Sequence, residues 1–514
     1  MKARLALAGA ALGALVLLIA GCGGSAAPDV ADLAPPGAPV FVEGALRPGG
    51  ELKTNTDAVA KRIAGIDNLG DFIVSELERS SQEDGEPFDY EKEVEPWLGE
   101  RAGVFFEKLE GGDLSSPGVI VESTDTGATQ EFVDTQVKSS KVPYKEASYE
   151  GVDFEVGGKE GNAIGVIGDF LAVGDDERVF KEMVDASNGD SLAGEDRFAT
   201  AISAASDGSL ADVYVDIGGL IEQSGGEIDP TVRQILQNAG IDPSEATAVA
   251  SVIPHSEQIE AQLSSDLGGQ KPPSGDASAL LGSLPASSFA AIAVSGFGEQ
   301  VNEAIDSLDE EGVPGSIPPH QLKKGLKEAG IDLEGIAGSL EDAAIFAVGN
   351  SERSLGGALV LTTSGSKATE AVANIGLLLR SVHVQGVTVL KGGTNGFTIR
   401  SPELGNKPLV VAAKQGRVAI GYGLPPTLLA LKQPSGKTLS DNPAYKEAVS
   451  SLNGTPVGGF VDGTAALKLA EALVPKSDQG FREAKRFLKS IAYLAIGTGR
   501  EGELATAKVI VGLK

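Results

Sequence analysis

At 514 residues, with 41% hydrophobic and 22% charged side chains, the chain is long enough for two large globular modules, each with its own core. A formal charge of −30 excludes a dominant basic face for phosphates, so nucleic acid is not an expected partner. The single cysteine, Cys22, excludes an intramolecular disulfide and a cysteine-built metal site. His255, His320 and His383 lie too far apart for metal-ligand spacing, so neither a metal nor a cofactor is expected.

Residues 1–21 read as a signal peptide, with Lys2 and Arg4 followed by an uncharged apolar run from Leu5 to Ala20. The run ends in Leu18-Ile19-Ala20-Gly21-Cys22, which resembles the lipobox of bacterial lipoproteins. That resemblance implies cleavage before Cys22 and a diacylglyceryl thioether on its sulfur. The protein would then sit outside the cytoplasm, anchored to the outer face of the cytoplasmic membrane; two acyl chains hold where one is marginal. A plain secretory signal with an incidental cysteine is the alternative. Residues 22–37, rich in Gly, Ala and Pro, read as a flexible tether.

A first module spans 38–267. Residues 39–46 read as a strand and 52–82 as helical, and the acid-dense run 83–96 reads as a solvated loop, because its spacing is not that of a calcium loop. Trp97 reads as a core anchor. Strands at 103–106 and 118–121 precede a helix at 127–140, and two hairpin-like pairs follow, 143–148 with 151–156 and 163–167 with 170–173. Asp175-Asp176-Glu177 opens a helix, where acids complement the helix dipole. The module closes with a strand at 211–217, a helical stretch near 229–239, and a hairpin whose turn is Pro254-His255-Ser256-Glu257.

Residues 268–278 read as a linker by composition, and a second module, 279–514, repeats the order. Leu171 and Val418, Phe198 and Tyr445, and Ala201 and Ala448 are each 247 residues apart, a fixed offset that points to an internal duplication. Asp216 and Asp462 fall at matching strand ends, where each caps the following helix. Short sequential strands with inserted helices predict an α+β fold, each module a mainly antiparallel sheet with helices packed on it.

No motif carries convincing chemistry. Gly497, Gly499 and Gly502 spell GxGxxG, but the next element is a strand, so they read as a hairpin turn rather than a nucleotide loop. Ser364 to Lys367 spells SxxK and Ser440-Asp441-Asn442 spells SDN, as in penicillin-binding enzymes. The third element, KTG, is absent after 442, and both motifs sit where a helix begins, so capping explains them.

The opener Ala38-Pro39-Val40-Phe41-Val42, the Trp97-Leu98-Gly99 turn and the small–aromatic helix around Phe198 are similar to those of a bacterial, extracytoplasmic lipoprotein family built on a domain of unknown function. The resemblance supports location and fold class and implies no activity. The expectation is a non-enzymatic, lipid-anchored binding or scaffolding protein, with no catalytic residue and Cys22 as the modified position. Its partners would be the membrane, through the lipid on Cys22, and an envelope protein or small ligand. A carrier with an apolar cavity and a serine acyltransferase using Ser364 and Lys367 are the alternatives.

Overall fold

The structure is a computed structural model. It describes residues 29–83, 89–110, 113–140, 142–157, 161–223, 244–267, 275–312, 318–328, 332–364, 366–381, 387–391, 396–414, 416–432 and 436–514. The signal peptide, Cys22, His383, the helical stretch expected near 229–239 and most of the linker lie outside the described residues. The chain divides into two compact units, Met1–Pro272 with Arg500–Ala507, and Pro273–Gly499 with Lys508–Lys514. The fold is α+β.

In unit 1 the strands are β1 (Val40–Ala45), β2 (Leu98–Glu110), β3 (Asp113–Ser123), β4 (Tyr144–Tyr149), β5 (Val152–Gly157), β6 (Asn162–Ile167), β7 (Phe170–Gly174), β8 (Ala211–Asp216), β9 (Thr247–His255) and β10 (Gln258–Asp266). They pair antiparallel in the order β4-β5-β6-β7-β3-β2-β1-β8-β9-β10. Alternation sends Phe41 to one face and Val40 and Val42 to the other, as a period of two requires. Phe41, Phe105, Ile120, Phe180, Phe198 and Tyr214 fill the first core. Val42, Val104, Val119, Leu171 and Trp97 belong to the second, with Ile73 from the helix Leu69–Glu83 and Phe132 from the helix Thr126–Ser139. The middle strands of unit 1 therefore carry a core on each face.

In unit 2 the strands are β11 (Ser288–Val294), β12 (Leu340–Val348), β13 (Gly356–Thr363), β14 (Thr388–Lys391), β15 (Gly396–Arg400), β16 (Leu409–Lys414), β17 (Arg417–Tyr422), β18 (Val457–Asp462) and most of β19 (Ile491–Glu501), which forms a terminal hairpin with β20 (Leu504–Leu513); the tip of that hairpin, Arg500–Ala507, is grouped with unit 1. They pair antiparallel as β14-β15-β16-β17-β13-β12-β11-β18-β19, the order seen in unit 1. One face carries a core with Ala291, Phe346, Val360, Tyr445, Phe460 and Ala495. The other carries a smaller core under the helix Lys367–Ser381, with Leu361, Val372, Phe397 and Val411.

Three sequence expectations about residues 22–97 need correction. The tether is not loose throughout: Val30–Leu33 is a short 3-10 helix held by a reciprocal Asp29–Asp32 capping box. Val30, Ala31 and Ala34 are fully buried there, and the amide of Leu192 donates to the carbonyl of Ala34 at 2.9 Å. The helical stretch 52–82 is two helices, Gly50–Ala64 and Leu69–Glu83, because Gly65 closes the first at φ +74°. The acidic run is not all loop: Asp89 caps a helical turn, Tyr90–Glu93, and Trp97 Nε1 donates to the carbonyl of Glu93 at 2.7 Å.

Candidate functional site

The residues singled out by motif settle into structural work. Asp216 accepts from the amide of Gly219 at 3.0 Å and pairs with Arg197 at 3.0 Å. Asp462 accepts from the amide of Ala465 at 2.9 Å. Asp176 caps the helix Glu177–Asn188 through the amide of Val179 at 2.8 Å. The hydroxyl of Ser364 donates to the carbonyl of Ser339 at 3.4 Å, and that of Ser440 to the carbonyl of Gly282 at 3.1 Å. Asn442 caps the helix Pro443–Ser451. Both serine hydroxyls therefore donate to backbone carbonyls. Gly497 and Gly499 lie in β19, and Gly502, at φ +61°, makes the turn to β20. Trp97 is 1% exposed and packs on Phe132 with ring centroids 5.2 Å apart. His255 ends β9 rather than sitting in the turn, and its Nε2 lies 3.3 Å from Oε2 of Glu260.

Two acidic features stand out in unit 1. An open groove of about 520 Å³ runs beside the helix Thr126–Ser139 and is lined by Asp134, Glu146, Asp153 and Glu155. Burial, then Glu146 and Asp134, raises the carboxyl of Glu155 above its ordinary value. Elsewhere Arg178 holds both Glu107, at 2.7 Å, and Glu182, at 2.5 Å. Burial and the neighbouring Glu182 push Glu107 up to about 7, and its Oε1 is buried without a hydrogen-bond partner. Among the described residues no cluster of His, Cys, Asp or Glu could hold a metal ion, and no helix is long and apolar enough to cross a membrane.

The feature that sequence reasoning missed is a row of aliphatic side chains on the sheet of unit 2. Leu359, Ile345, Ile292, Gly459 and Ile496 are successive cross-strand partners on β13, β12, β11, β18 and β19. They lie on the face opposite the large core, because the alternating Ala291, Phe346 and Ala495 point into that core. Ile345 is 60% exposed, Ile292 58% and Ile496 38%, with Val294 beside them at 41%. In unit 1 the same strands present Val119, Val104, Val42, Val213 and Ala250 in the same cross-strand row. There Val42, Val104 and Val119 are only 6 to 8% exposed, in a core shared with Ile73, Val94 and Trp97. The signal in the sequence was faint, since FAAIAV and VFVEGA both read as ordinary strands.

No curated protein sequence matches the chain. Crystal forms III and I of TP0453 align with TM-scores of 0.26 and 0.24 at 12% identity, covering 48% of this chain and 84% and 82% of theirs. At those scores the likeness carries no argument. A family described as "Protein of unknown function (DUF3352)" matches residues 5–511, nearly the whole sequence, and the chain belongs to that family.

Proposed function

We propose that this is a non-enzymatic binding or scaffolding protein of the cell envelope, lipid-anchored through Cys22 and built from two copies of one module. The second copy engages a partner through its open sheet face. The observation that carries this is the contrast between equivalent rows, with Ile292 and Ile345 58 and 60% exposed where Val42 and Val104 are 6 and 8% exposed. Burying one such side chain is worth about 1.5–3 kcal/mol, and a contiguous apolar face left in water marks an interaction site.

Unit 1 indicates what suits the face. Its row shares a core with Ile73 of the helix Leu69–Glu83, and Leu69 of that helix packs against the same core. The occupant is therefore an amphipathic helix of another envelope protein, with bases on its polar side to meet a chain of net charge −30. A carried hydrophobic molecule is the second reading, favoured by the small-residue strands. Side chains more than half exposed count against it, because a carrier encloses its cargo.

The duplication is supported by more than the 247-residue offset. Phe198 meets Tyr214 edge-on at 4.9 Å, and Tyr445 meets Phe460 edge-on at 5.3 Å. The amide of Leu192 donates to Ala34 at 2.9 Å, and that of Leu439 to Leu284 at 2.8 Å. A Cβ on Gly174 would lie 2.7 Å from the amide nitrogen of Phe180, and one on Gly421 3.1 Å from that of Thr427. The anchor is supported by the lipobox-like Leu18–Cys22, and its test is release of the protein from membranes by Cys22→Ala.

For the partner, a photoreactive p-benzoylphenylalanine is placed at position 345, or at 104, of the full chain in its own envelope. Adducts are expected from 345 alone, mapping to a helical segment with an apolar stripe. A lipid or small-molecule adduct at 345 would replace the helix by cargo. Equal adducts at both positions, or none, would overturn the reading.

A further inference from the structure

We propose that the helix Gln479–Leu488 of unit 2 is a second membrane contact, lying in the plane of an anionic bilayer surface with its bases on the headgroups. Residues 476–489 carry Lys476, Arg482, Lys485, Arg486 and Lys489 against Asp478 and Glu483, so a stretch of +3 interrupts a chain of −30. At about 100° per residue, Phe481, Ala484, Phe487 and Leu488 share one arc of the helix and Arg482, Lys485 and Arg486 another.

A helix so divided normally turns its apolar arc into a core. This one has no buried residue at all, and Phe487 is 36% exposed. The core contact is made instead by its neighbour, the helix Gly463–Leu473, through Leu469. That neighbour holds the basic helix by an ion pair, Lys485 to Glu471 at 2.7 Å, and ends in Leu473, itself 43% exposed. Asp478 caps the helix through the amide of Phe481 at 2.7 Å, so the element is formed before any partner arrives.

The occupant follows from the two arcs together. An acidic peptide would use the bases and leave the phenylalanines wet, and an apolar helix would do the reverse. An anionic bilayer surface takes both, aromatic and aliphatic groups into the acyl boundary and Lys/Arg among the headgroups. Each base near such a surface adds about five-fold to the partition.

The test uses the full chain with its anchor, carrying Ala484→Cys labelled with an environment-sensitive fluorophore. It is reconstituted in vesicles of phosphatidylcholine alone or with phosphatidylglycerol. The emission should shift to the blue only with phosphatidylglycerol, and the shift should fade with salt. Arg482→Glu with Arg486→Glu should abolish it while leaving the Lys485–Glu471 pair intact. Phe487→Ser, at an exposed position, should reduce it several-fold without a change in circular dichroism. Identical emission in the two vesicles, or a shift untouched by the charge reversals, would overturn the inference. Dye found on Cys22 by peptide mass would sink the anchor instead, whatever the helix does.

Discussion

Where unit 1 carries charge, unit 2 repeatedly carries aliphatic carbon. On the helix after β7, Glu177 and Lys181 pair at 2.7 Å. The residues 247 further on, Leu424 and Leu428, start the helix after β17 and are 53 and 51% exposed. Arg178 of the Glu107–Arg178–Glu182 cluster is matched by Pro425 and Glu182 by Leu429 at the same offset, and strand register puts Val348 in the place of Glu107. On the sheet the difference is one of cover rather than chemistry, since both rows are aliphatic. The lesson is that one strand order can be finished in two ways. At these places unit 1 pairs its charges and buries its row, whereas unit 2 leaves apolar side chains exposed.

The largest effect belongs to the rows. Val104→Asp puts a carboxylate under helices and should cost unit 1 about 4 kcal/mol or more, whereas Ile345→Asp should change unit 2 by no more than about 0.5 kcal/mol. Trp97, the only tryptophan, reports the unfolding of unit 1 by fluorescence, and far-ultraviolet dichroism reports the whole chain. If Ile345→Asp also unfolds its unit, the face is covered and the comparison fails.

Caps come next, and they should be unequal. Asp462→Ala removes one amide acceptor and should cost about 1 kcal/mol, while Asp216→Ala also unpairs Arg197 and should cost somewhat more. Equal losses in thermal melts would show that the Arg197 pair is worth nothing.

Glu107 sharpens the contrast through pH. Its carboxyl titrates near 4.5 when unfolded and about 7 when folded, raised mainly by burial. Between those values the unfolded chain ionises while the folded one does not, so native stability falls as pH rises from 4.5 through 7. Glu107→Gln should abolish that loss. Allowing for the compensating pair with Arg178, the gain is about 1 kcal/mol at pH 8 and close to nothing at pH 4. Melts of the two proteins that keep a constant gap across this range would refute the assignment.

Strand order was largely legible because β structure announces itself locally. Gly168-Asp169 marks the turn between β6 and β7, and Val40-Phe41-Val42 alternates between two cores. The packed segment Val30–Ala34 was hidden by the Gly, Ala and Pro around it, although its apolar spacing was present. The open row was not legible at all. Ile292 and Val42 sit in similar strands, and what separates them is how much of each later segments of the chain bury. The serine motifs misled in the opposite sense, since short polar patterns recur wherever helices need caps. The basic helix Gln479–Leu488 could have been found by its two arcs, but the net charge of the whole chain masks it.

The smallest effect tests whether exposed leucine on unit 2 serves folding or contact. Leu424→Glu with Leu428→Lys rebuilds on unit 2 the pair that Glu177 and Lys181 make on unit 1. The acid lands in the first turn of the helix Leu424–Leu431, where the dipole favours it, with the base four residues on. An exposed pair of this kind is worth only about 0.3–0.5 kcal/mol. Both leucines are more than half in water already, so little burial is lost. The melting temperature should therefore stay level or rise slightly, and self-association in sedimentation runs should not increase. A clear loss of stability would mean that Leu424 and Leu428 hold the fold together and that the apolar finish of unit 2 is structural at this site.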